Sequence, residues 1–313
     1  MIPRRPLTRP NMSSIRWLLT FILLIVGVPV QNSDAAGPLN VYVVNYPLKY
    51  FAERIGGDHV RVKFPVAADV DPAYWNPDLA DIAAYQQADL ILLNGAGYAK
   101  WVANVSLPRS KIVDTSRKFK NRYIYTEEVA THSHGAAGEH AHEALAFTTW
   151  LDLEFAAQQA GAIAAALSRK RPELRNGFQS NLEALVTDLK GLDRDIQTMV
   201  SKNPTIPLIV SHPVYDYFTK RYGLNVVSVH WEPDEVLHNS QIQELKGILQ
   251  QHPAKWLIWE GPPIPASVAK LKKTLAVDSL VFDPCGNVPD SGDFMTVMRH
   301  NVEDLRRAFS VTQ

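Results

Sequence analysis

Four histidines lie within one short segment near the middle of this chain of 313 residues. They form two His-x-His pairs, His132 with His134 and His140 with His142, separated mainly by glycine and alanine. Neutral imidazole is a common ligand of zinc and other borderline divalent ions, and a segment so rich in small residues contributes little to a core. The spacing therefore predicts a metal-binding loop over residues 131–143. A solvated polar loop whose histidines merely titrate is the alternative.

The N-terminal segment has the features of a secretory signal peptide. Arginines at positions 4, 5, 9 and 16 precede an uninterrupted apolar run over residues 17–30, and the small residues Ser33-Asp34-Ala35 follow. The run is shorter than the roughly 20 residues of a typical membrane-spanning helix. We therefore predict a signal peptide over residues 1–35 and a periplasmic protein, with an uncleaved anchor as the alternative. The single cysteine, Cys285, lies far from this segment, so we expect no lipoprotein anchor. Because there is only one cysteine, we also expect no internal disulfide.

The composition is that of a globular protein with balanced charge. Apolar residues make up 46% of the chain and charged residues 20%, with 32 basic and 32 acidic side chains. We expect neither lysine nor arginine to cluster along one face, and hence no nucleic acid and no anionic membrane surface as partner. The sequence has no Gly-x-Ser-x-Gly elbow, no His-Glu-x-x-His helix and no phosphate-binding loop. We therefore expect a binding protein rather than an enzyme.

Short apolar runs alternate with helical patterns along the chain and predict an α/β fold. The runs are mostly aliphatic or β-branched and nearly continuous, which is typical of parallel strands covered on both faces. Four precede and four follow the centre of the chain, at residues 39–45, 60–65, 89–94, 111–114, 207–211, 225–230, 256–260 and 279–283. The pattern therefore predicts two mostly parallel sheets flanked by helices.

Two long helical patterns, over residues 153–168 and about 172–201, separate these two sets of strands. In the second helix, apolar residues recur at spacings of three and four from Phe178 to Val200. A helix of that length extends about 45 Å and can join two lobes. We predict an N-terminal lobe over residues 37–170, a linking helix over 171–203 and a C-terminal lobe over 204–313.

Several motifs lie along this order of elements. In chain order, they are Asp71-Pro72-Ala73-Tyr74 with Pro77 and Asp78, residues 88–95, Trp150-Leu151-Asp152, residues 211–224, and Phe282-Asp283-Pro284 ahead of a closing helix at 295–305. Together with the order of elements, these motifs resemble the solute-binding proteins of ABC importers for zinc and manganese (cluster A-I), and the zinc receptors in particular. A histidine-rich loop ahead of a Trp-Leu-Asp segment is typical of the zinc-specific members.

The resemblance implies a metal site in the cleft between the lobes, but only two of its four ligand positions match. His212 follows a predicted strand and Asp283 ends another, so both lie at the carboxyl ends of parallel strands. Ala73 stands where the family has the histidine of Asp-Pro-His, and Thr148 where it has the histidine of His-x-Trp-Leu-Asp. An alanine methyl cannot coordinate a metal, and a threonine hydroxyl is a poor zinc ligand. Thr148 is therefore expected only to line the cleft.

Three replacements for the missing ligands are open. In the favoured one, imidazoles of the 131–143 loop complete a tetrahedral site with His212 and Asp283. In the second, nearby side chains take part: Asp69 or Asp71, Glu260, or Cys285, which packs equally well as a small apolar side chain. In the third, the cleft holds an organic solute or a metal complex behind a rim of aromatic side chains: Tyr74, Trp75, Tyr98, Trp101, Trp150 and Trp231.

The resemblance implies a monomeric receptor that captures a divalent transition metal and passes it to a membrane ABC permease. Nitrogen-rich ligands favour Zn²⁺ over manganese and other divalent ions. The alternative is a periplasmic metal chaperone or buffer that acts through the histidine-rich loop and hands ions to another protein, such as a metallochaperone. A receptor with one cleft site should keep that site when the loop is deleted, unless the loop itself supplies ligands. A buffer should lose most of its capacity.

Overall fold

The computed structural model describes residues 37–129 and 143–310, together with Met1 and Pro3. The chain divides into two compact units after Gly37, and the fold below concerns the second, which begins at Pro38. The predicted signal peptide and most of the predicted histidine-rich loop lie outside the described residues. No helix in the described part of the chain is both long and apolar enough to cross a membrane.

The first half of the second unit contains a four-stranded parallel sheet. Its strands are β1 (Leu39–Val43), β2 (Val60–Lys63), β3 (Leu90–Leu93) and β4 (Ile112–Asp114), in the order β2-β1-β3-β4. Helices α1 (Tyr46–Gly56) and α2 (Leu79–Gln87) connect them. Val41, Ile91 and Leu92 have no exposed surface, as the continuous apolar runs predict for strands covered on both faces.

The second half repeats this arrangement. Strands β7 (Pro207–Val210), β8 (Asn225–Ser228), β9 (Trp256–Trp259) and β10 (Asp278–Val281) form a parallel sheet in the order β10-β9-β7-β8. Helices α5 (Asp216–Tyr222), α6 (Asn239–Gln251) and α7 (Pro265–Leu275) connect them, and α8 (Phe294–Phe309) follows. All eight predicted strands are present, each within about two residues of its predicted ends, and the α/β prediction is confirmed.

One feature was not predicted from the sequence. Strands β5 (Tyr125–Val129) and β6 (Glu143–Leu145) pair antiparallel as a hairpin, with an irregularity between Thr126 and Val129. These strands are short and have little apolar patterning, so the periodicity that marks the other strands is missing. The pairing of Val129 with Glu143 brings together the two residues that flank positions 130–142.

Two long helices connect the halves, as predicted. Helix α3 (Leu153–Lys170) precedes α4 (Arg175–Val200), whose 26 residues correspond to about 39 Å. The apolar stripe of α4 is buried at Leu185, Leu189 and Ile196. Helix α4 contacts α1 and α3 of the first half and α5 and α8 of the second. It therefore packs against elements of both lobes, consistent with the predicted linking role.

Replacing Leu189 with alanine tests this role of α4. Leu189 is fully buried in the larger hydrophobic cluster, and shortening a buried leucine removes apolar contacts and leaves a cavity. We expect the free energy of unfolding to fall by about 2–5 kcal/mol in urea denaturation. Lys190→Ala, at the exposed neighbouring position, should change it by less than about 0.5 kcal/mol. Equal effects at both positions would contradict the buried stripe.

An ion-pair network joins helices of both lobes at one end of this interface. On α5, the Arg221 guanidinium donates to the carboxylate of Asp193 on α4 at 2.7 and 3.0 Å and to that of Glu154 on α3 at 2.7 Å. The hydroxyl of Tyr222 donates to Asp193 as well, at 2.8 Å. Because Asp193 is buried, these partners compensate the loss of its hydration. The network fixes the second lobe against α3 and α4.

Candidate metal centre

Each strand of the second sheet is followed by a side chain of a metal-binding type. His212 follows β7, His230 and Glu232 follow β8, Glu260 follows β9, and Asp283 follows β10. The four strands are parallel, so their carboxyl ends lie along one edge of the sheet. This is the edge at which open α/β sheets place their ligands.

The two histidines and Glu232 form a group within this edge. The rings of His212 and His230 lie 5.8 Å apart between centroids, at an interplanar angle of 81°. The Nε2 atom of His212 lies 4.0 Å from a carboxylate oxygen of Glu232. The side chain of His212 is 22% exposed, so solvent or a dissolved ion reaches it. The sequence analysis identified His212 but missed His230 and Glu232.

Glu260 is the most strongly perturbed acid at this edge. Its burial, together with the negative charges of Glu232, Asp71 and Asp283, raises its pKa to about 8. The influence of Asp71, which lies in the loop between β2 and α2, places the first lobe beside these second-lobe carboxylates. Among the described residues, the charges that act on Glu260 are those of other acids, and a bound cation is the natural compensation.

Asp283 is held in place by α8 and by its own loop. Its backbone N–H donates to the side chain of Asn301 at 3.0 Å, and the Asn301 amide donates back to the Asp283 carbonyl at 2.7 Å. The N–H of Cys285 donates to the Asp283 carboxylate at 2.6 Å. Burial raises the pKa of Asp283, and the bond from Cys285 partly offsets this rise. The carboxylate therefore has a fixed orientation and retains lone pairs for a further partner.

Both altered positions make other contacts within the protein. Ala73 has no exposed surface, and its N–H donates to the Asp71 carboxylate at 2.8 Å. The Thr148 hydroxyl donates to the carbonyl of Val214 in the second lobe at 2.5 Å. Its neighbour Thr149 donates to the buried side chain of Asn94 at 3.2 Å. Thr148 thus connects the two lobes directly, and any replacement ligands must come from other positions.

Cys285 does not have the features of a ligand. The residue is 1% exposed and belongs to the large hydrophobic cluster. Burial and the nearby Asp283 carboxylate raise the pKa of its thiol, which disfavours the thiolate that binds metals. The packed interpretation of Cys285 therefore fits the structure better than coordination.

The predicted aromatic rim requires correction at four of its six positions. Tyr98, Trp101, Trp150 and Trp231 are buried and pack inside the fold, because burial of large aromatic surface is favourable. The Trp150 indole N–H donates to the Pro284 carbonyl at 2.7 Å. Tyr74 is 44% exposed and Trp75 is half-buried, so only these two keep surface for a solute.

The predicted loop ligands, His132, His134, His140 and His142, lie outside the described residues. The segments that flank them contact the second lobe, since the Ile124 N–H donates to the Tyr217 hydroxyl at 3.3 Å and that hydroxyl donates to the Ala146 carbonyl at 3.2 Å. Within residues 37–129 and 143–310, no three His, Cys, Asp or Glu side chains converge closely enough to hold an ion. The cleft residues are therefore neighbours rather than a preformed coordination shell.

Comparison with known proteins assigns the family. The family described as "ZnuA: Zinc-uptake complex component A periplasmic" matches residues 41–308, nearly the whole unit that carries the two sheets. The chain belongs to the ZnuA family. Members of the ZnuA family are transport receptors rather than enzymes.

Individual relatives of this ZnuA-family chain have low sequence identity to it, but the matches cover most of the chain. The "Zinc-binding lipoprotein AdcA" of Streptococcus pneumoniae is 24% identical over 314 residues, which cover 95% of this chain and 61% of the relative. The "Manganese ABC transporter substrate-binding lipoprotein PsaA" of the same species is 24% identical over 304 residues, 92% of this chain and 94% of the relative. The chain thus spans about three fifths of the first relative's length.

A solved structure supports the fold. The "Metal-dependent Lipoprotein YcdH from Bacillus subtilis" superposes with a TM-score of 0.76 and 21% sequence identity. The match covers 87% of this chain and all of that chain. The two parallel-sheet lobes and the long helix of the ZnuA family are therefore present here.

Proposed function

We propose that this protein captures a divalent transition-metal ion, zinc in the first place, in the cleft between its lobes and delivers it to a membrane ABC permease. The ion is cargo. The observation that carries the proposal is that His212, His230, Glu260 and Asp283 each follow a strand of the second parallel sheet and so lie along the same carboxyl edge, where Glu260 is buried among acids. Relatives named for zinc and for manganese transport support the class of cargo.

The donor set supports zinc rather than manganese as the cargo. Manganese prefers carboxylate and water oxygens as ligands, whereas zinc binds imidazole nitrogen strongly and also accepts carboxylates. His212 and His230 already supply two nitrogens near each other, and the 131–143 segment carries four more histidines. We therefore propose zinc, with His212 and Asp283 as ligands and the loop imidazoles or Glu260 as the replacements for the altered positions. Asp71, next to Ala73, is a further substitute.

We further propose that the protein is exported by its N-terminal segment, acts in the periplasm as a monomer, and comprises two lobes with α4 between them. The basic start and the apolar run of residues 17–30 support export. A solute-binding protein of an ABC importer works outside the cytoplasmic membrane, where a permease receives the cargo. The two relatives above are named as lipoproteins, which supports a place of action outside the cytoplasmic membrane.

Metal analysis of the purified protein tests the proposal. Zinc and manganese are titrated calorimetrically into the metal-free mature chain and into a variant whose residues 132–142 are replaced by a short glycine linker. A receptor binds one zinc ion tightly, and the variant still binds one ion, with weaker affinity if loop imidazoles are ligands. Loss of nearly all zinc capacity in the variant would favour the buffer function. No binding of either metal to the parent chain would refute the proposal.

A further inference from the structure

A short segment of the first lobe is strongly basic although the whole chain is neutral. Residues 108–122 contain one acid, Asp114, and six basic residues: Arg109, Lys111, Arg117, Lys118, Lys120 and Arg122. In the whole chain the basic and acidic residues are equal in number, at 32 each. The charge is therefore local, and it surrounds β4, at the edge of the first sheet.

Four basic side chains line one open pocket at this edge. Arg109, Arg117 and Lys118 come from the two sides of β4, and Arg169 comes from the end of α3. The pocket has a volume of about 640 Å³. The sequence-based expectation that basic side chains do not cluster on a face is wrong here, because the fold brings Arg169 next to a segment some fifty residues earlier in the chain.

These cations are available to a partner. In the part of the chain that the structure describes, none of the four has an acidic side chain within ion-pair distance. Asp114, the acid in the pocket, accepts from the N–H and the hydroxyl of Ser116, at 3.1 and 3.0 Å. The lining of the pocket therefore carries an excess positive charge, which attracts anionic groups.

The floor of the pocket is suited to an extended chain. In the described part of the chain, strand β4 pairs only with β3, so its other edge presents backbone groups that another strand can use. Ile112 and Val113 of β4 are half-buried, and the small side chains of Ala162 and Ala165 on α3 leave room beside them. Arg109 precedes the strand and Arg117 follows it, so basic side chains lie on both sides of β4 along the chain. This placement suits carboxylates spaced along an extended segment.

We propose that the pocket between β4 and α3 binds an extended acidic segment of a partner protein, which adds a strand to the free edge of β4. Backbone hydrogen bonds to β4 provide affinity, and the four cations select acidic side chains at both ends. The pocket is separate from the metal centre, so the proposal does not depend on the cargo.

Fluorescence anisotropy with a labelled hexapeptide of alternating glutamate and valine tests the proposal on the mature chain. We expect binding that weakens with salt, and at least about tenfold weaker binding by the double variant Arg117→Glu/Lys118→Glu. The control Lys202→Glu/Lys246→Glu makes the same change in net charge at exposed positions outside the pocket, and it should bind like the parent. Both variants should retain the parent's zinc stoichiometry and circular dichroism spectrum.

Two further probes separate strand addition from simple charge attraction. A hexapeptide with N-methylated backbone amides keeps its charges but cannot form the strand ladder, so it should bind at least about tenfold more weakly. Inorganic tripolyphosphate should compete poorly. Equal binding of the N-methylated peptide, or tighter binding of tripolyphosphate or of a single-stranded oligonucleotide, would overturn the proposal. Unchanged peptide binding by the double variant Arg117→Glu/Lys118→Glu would also overturn the proposal.

Discussion

Replacing His212 with alanine is expected to weaken zinc binding about a hundredfold or more, because the change removes a proposed ligand. Even substitutions that disturb only the hydrogen bonds that orient a ligand lower metal affinity about 10–100-fold. His212 is partly exposed and lies beside His230 and Glu232, at the end of β7. Neither neighbour replaces it, because both follow β8 and not β7. The measurement is the dissociation constant of zinc, obtained by competition with a chelator of known affinity.

A matched control for this variant exists on α8. His300 has a side chain that is 78% exposed and whose Nε2 atom lies 3.7 Å from a carboxylate oxygen of Asp304 on the same helix. His300→Ala should bind zinc as the parent does. If His212→Ala also binds zinc like the parent, the cleft assignment is wrong, and the metal must be held by residues outside this edge of the sheet.

Replacing Glu260 with glutamine is expected to change how the stability of the metal-free protein depends on pH. The folded pKa of about 8 is higher than the ordinary value of a glutamate, so between the two values the folded chain binds a proton that the unfolded chain has released. The free energy of unfolding therefore falls as pH rises through this window, by about 1.4 kcal/mol per pH unit from this group. Glutamine mimics the protonated form and removes this loss, so the variant should exceed the parent in stability by a margin that grows up to about pH 8.

Urea denaturation between pH 5 and 9 in the presence of a chelator measures this margin. Glu244→Gln, at an exposed position of α6, is the control. Its free energy of unfolding should depend on pH in the same way as that of the parent across the range. Parallel curves for Glu260→Gln and the parent would show that Glu260 is not desolvated among other acids. With zinc present the order should reverse, because the parent gains a charged ligand that the amide lacks.

The structure also shows what surrounds the two positions at which the sequence lacks the expected ligands. Ala73 is sealed in the interior, and Thr148 makes a hydrogen bond to the opposite lobe. The first lobe thus contributes Asp71 at most, among the described residues whose charge acts on Glu260. The second sheet, by contrast, presents an acid or a histidine after every strand. We infer that most of the metal ligands come from the second lobe and from the histidine-rich segment.

The regular part of the fold was predictable from local pattern. The parallel strands of both sheets are continuous apolar runs, and α4 has an apolar stripe with helical spacing, because each element must bury a face that its own sequence supplies. The hairpin of β5 and β6 was not predictable in this way. Its short, polar strands are stabilised by pairing and by contacts such as those of Tyr217 with the flanking backbone, which no single segment specifies.

The sequence by itself determined the two-lobed α/β architecture and two candidate ligands, because periodic apolar runs and a histidine or acid at a strand end are local features. It also located the clustered histidines of residues 132–142, although their structure is not described. Tertiary structure alone decided which charges meet. His230 and Glu232 join His212, three acids from separate loops raise the pKa of Glu260, and Arg169 joins the basic side chains around β4. Electrostatic interactions depend on distance and burial in space, and sequence separation does not set either of them.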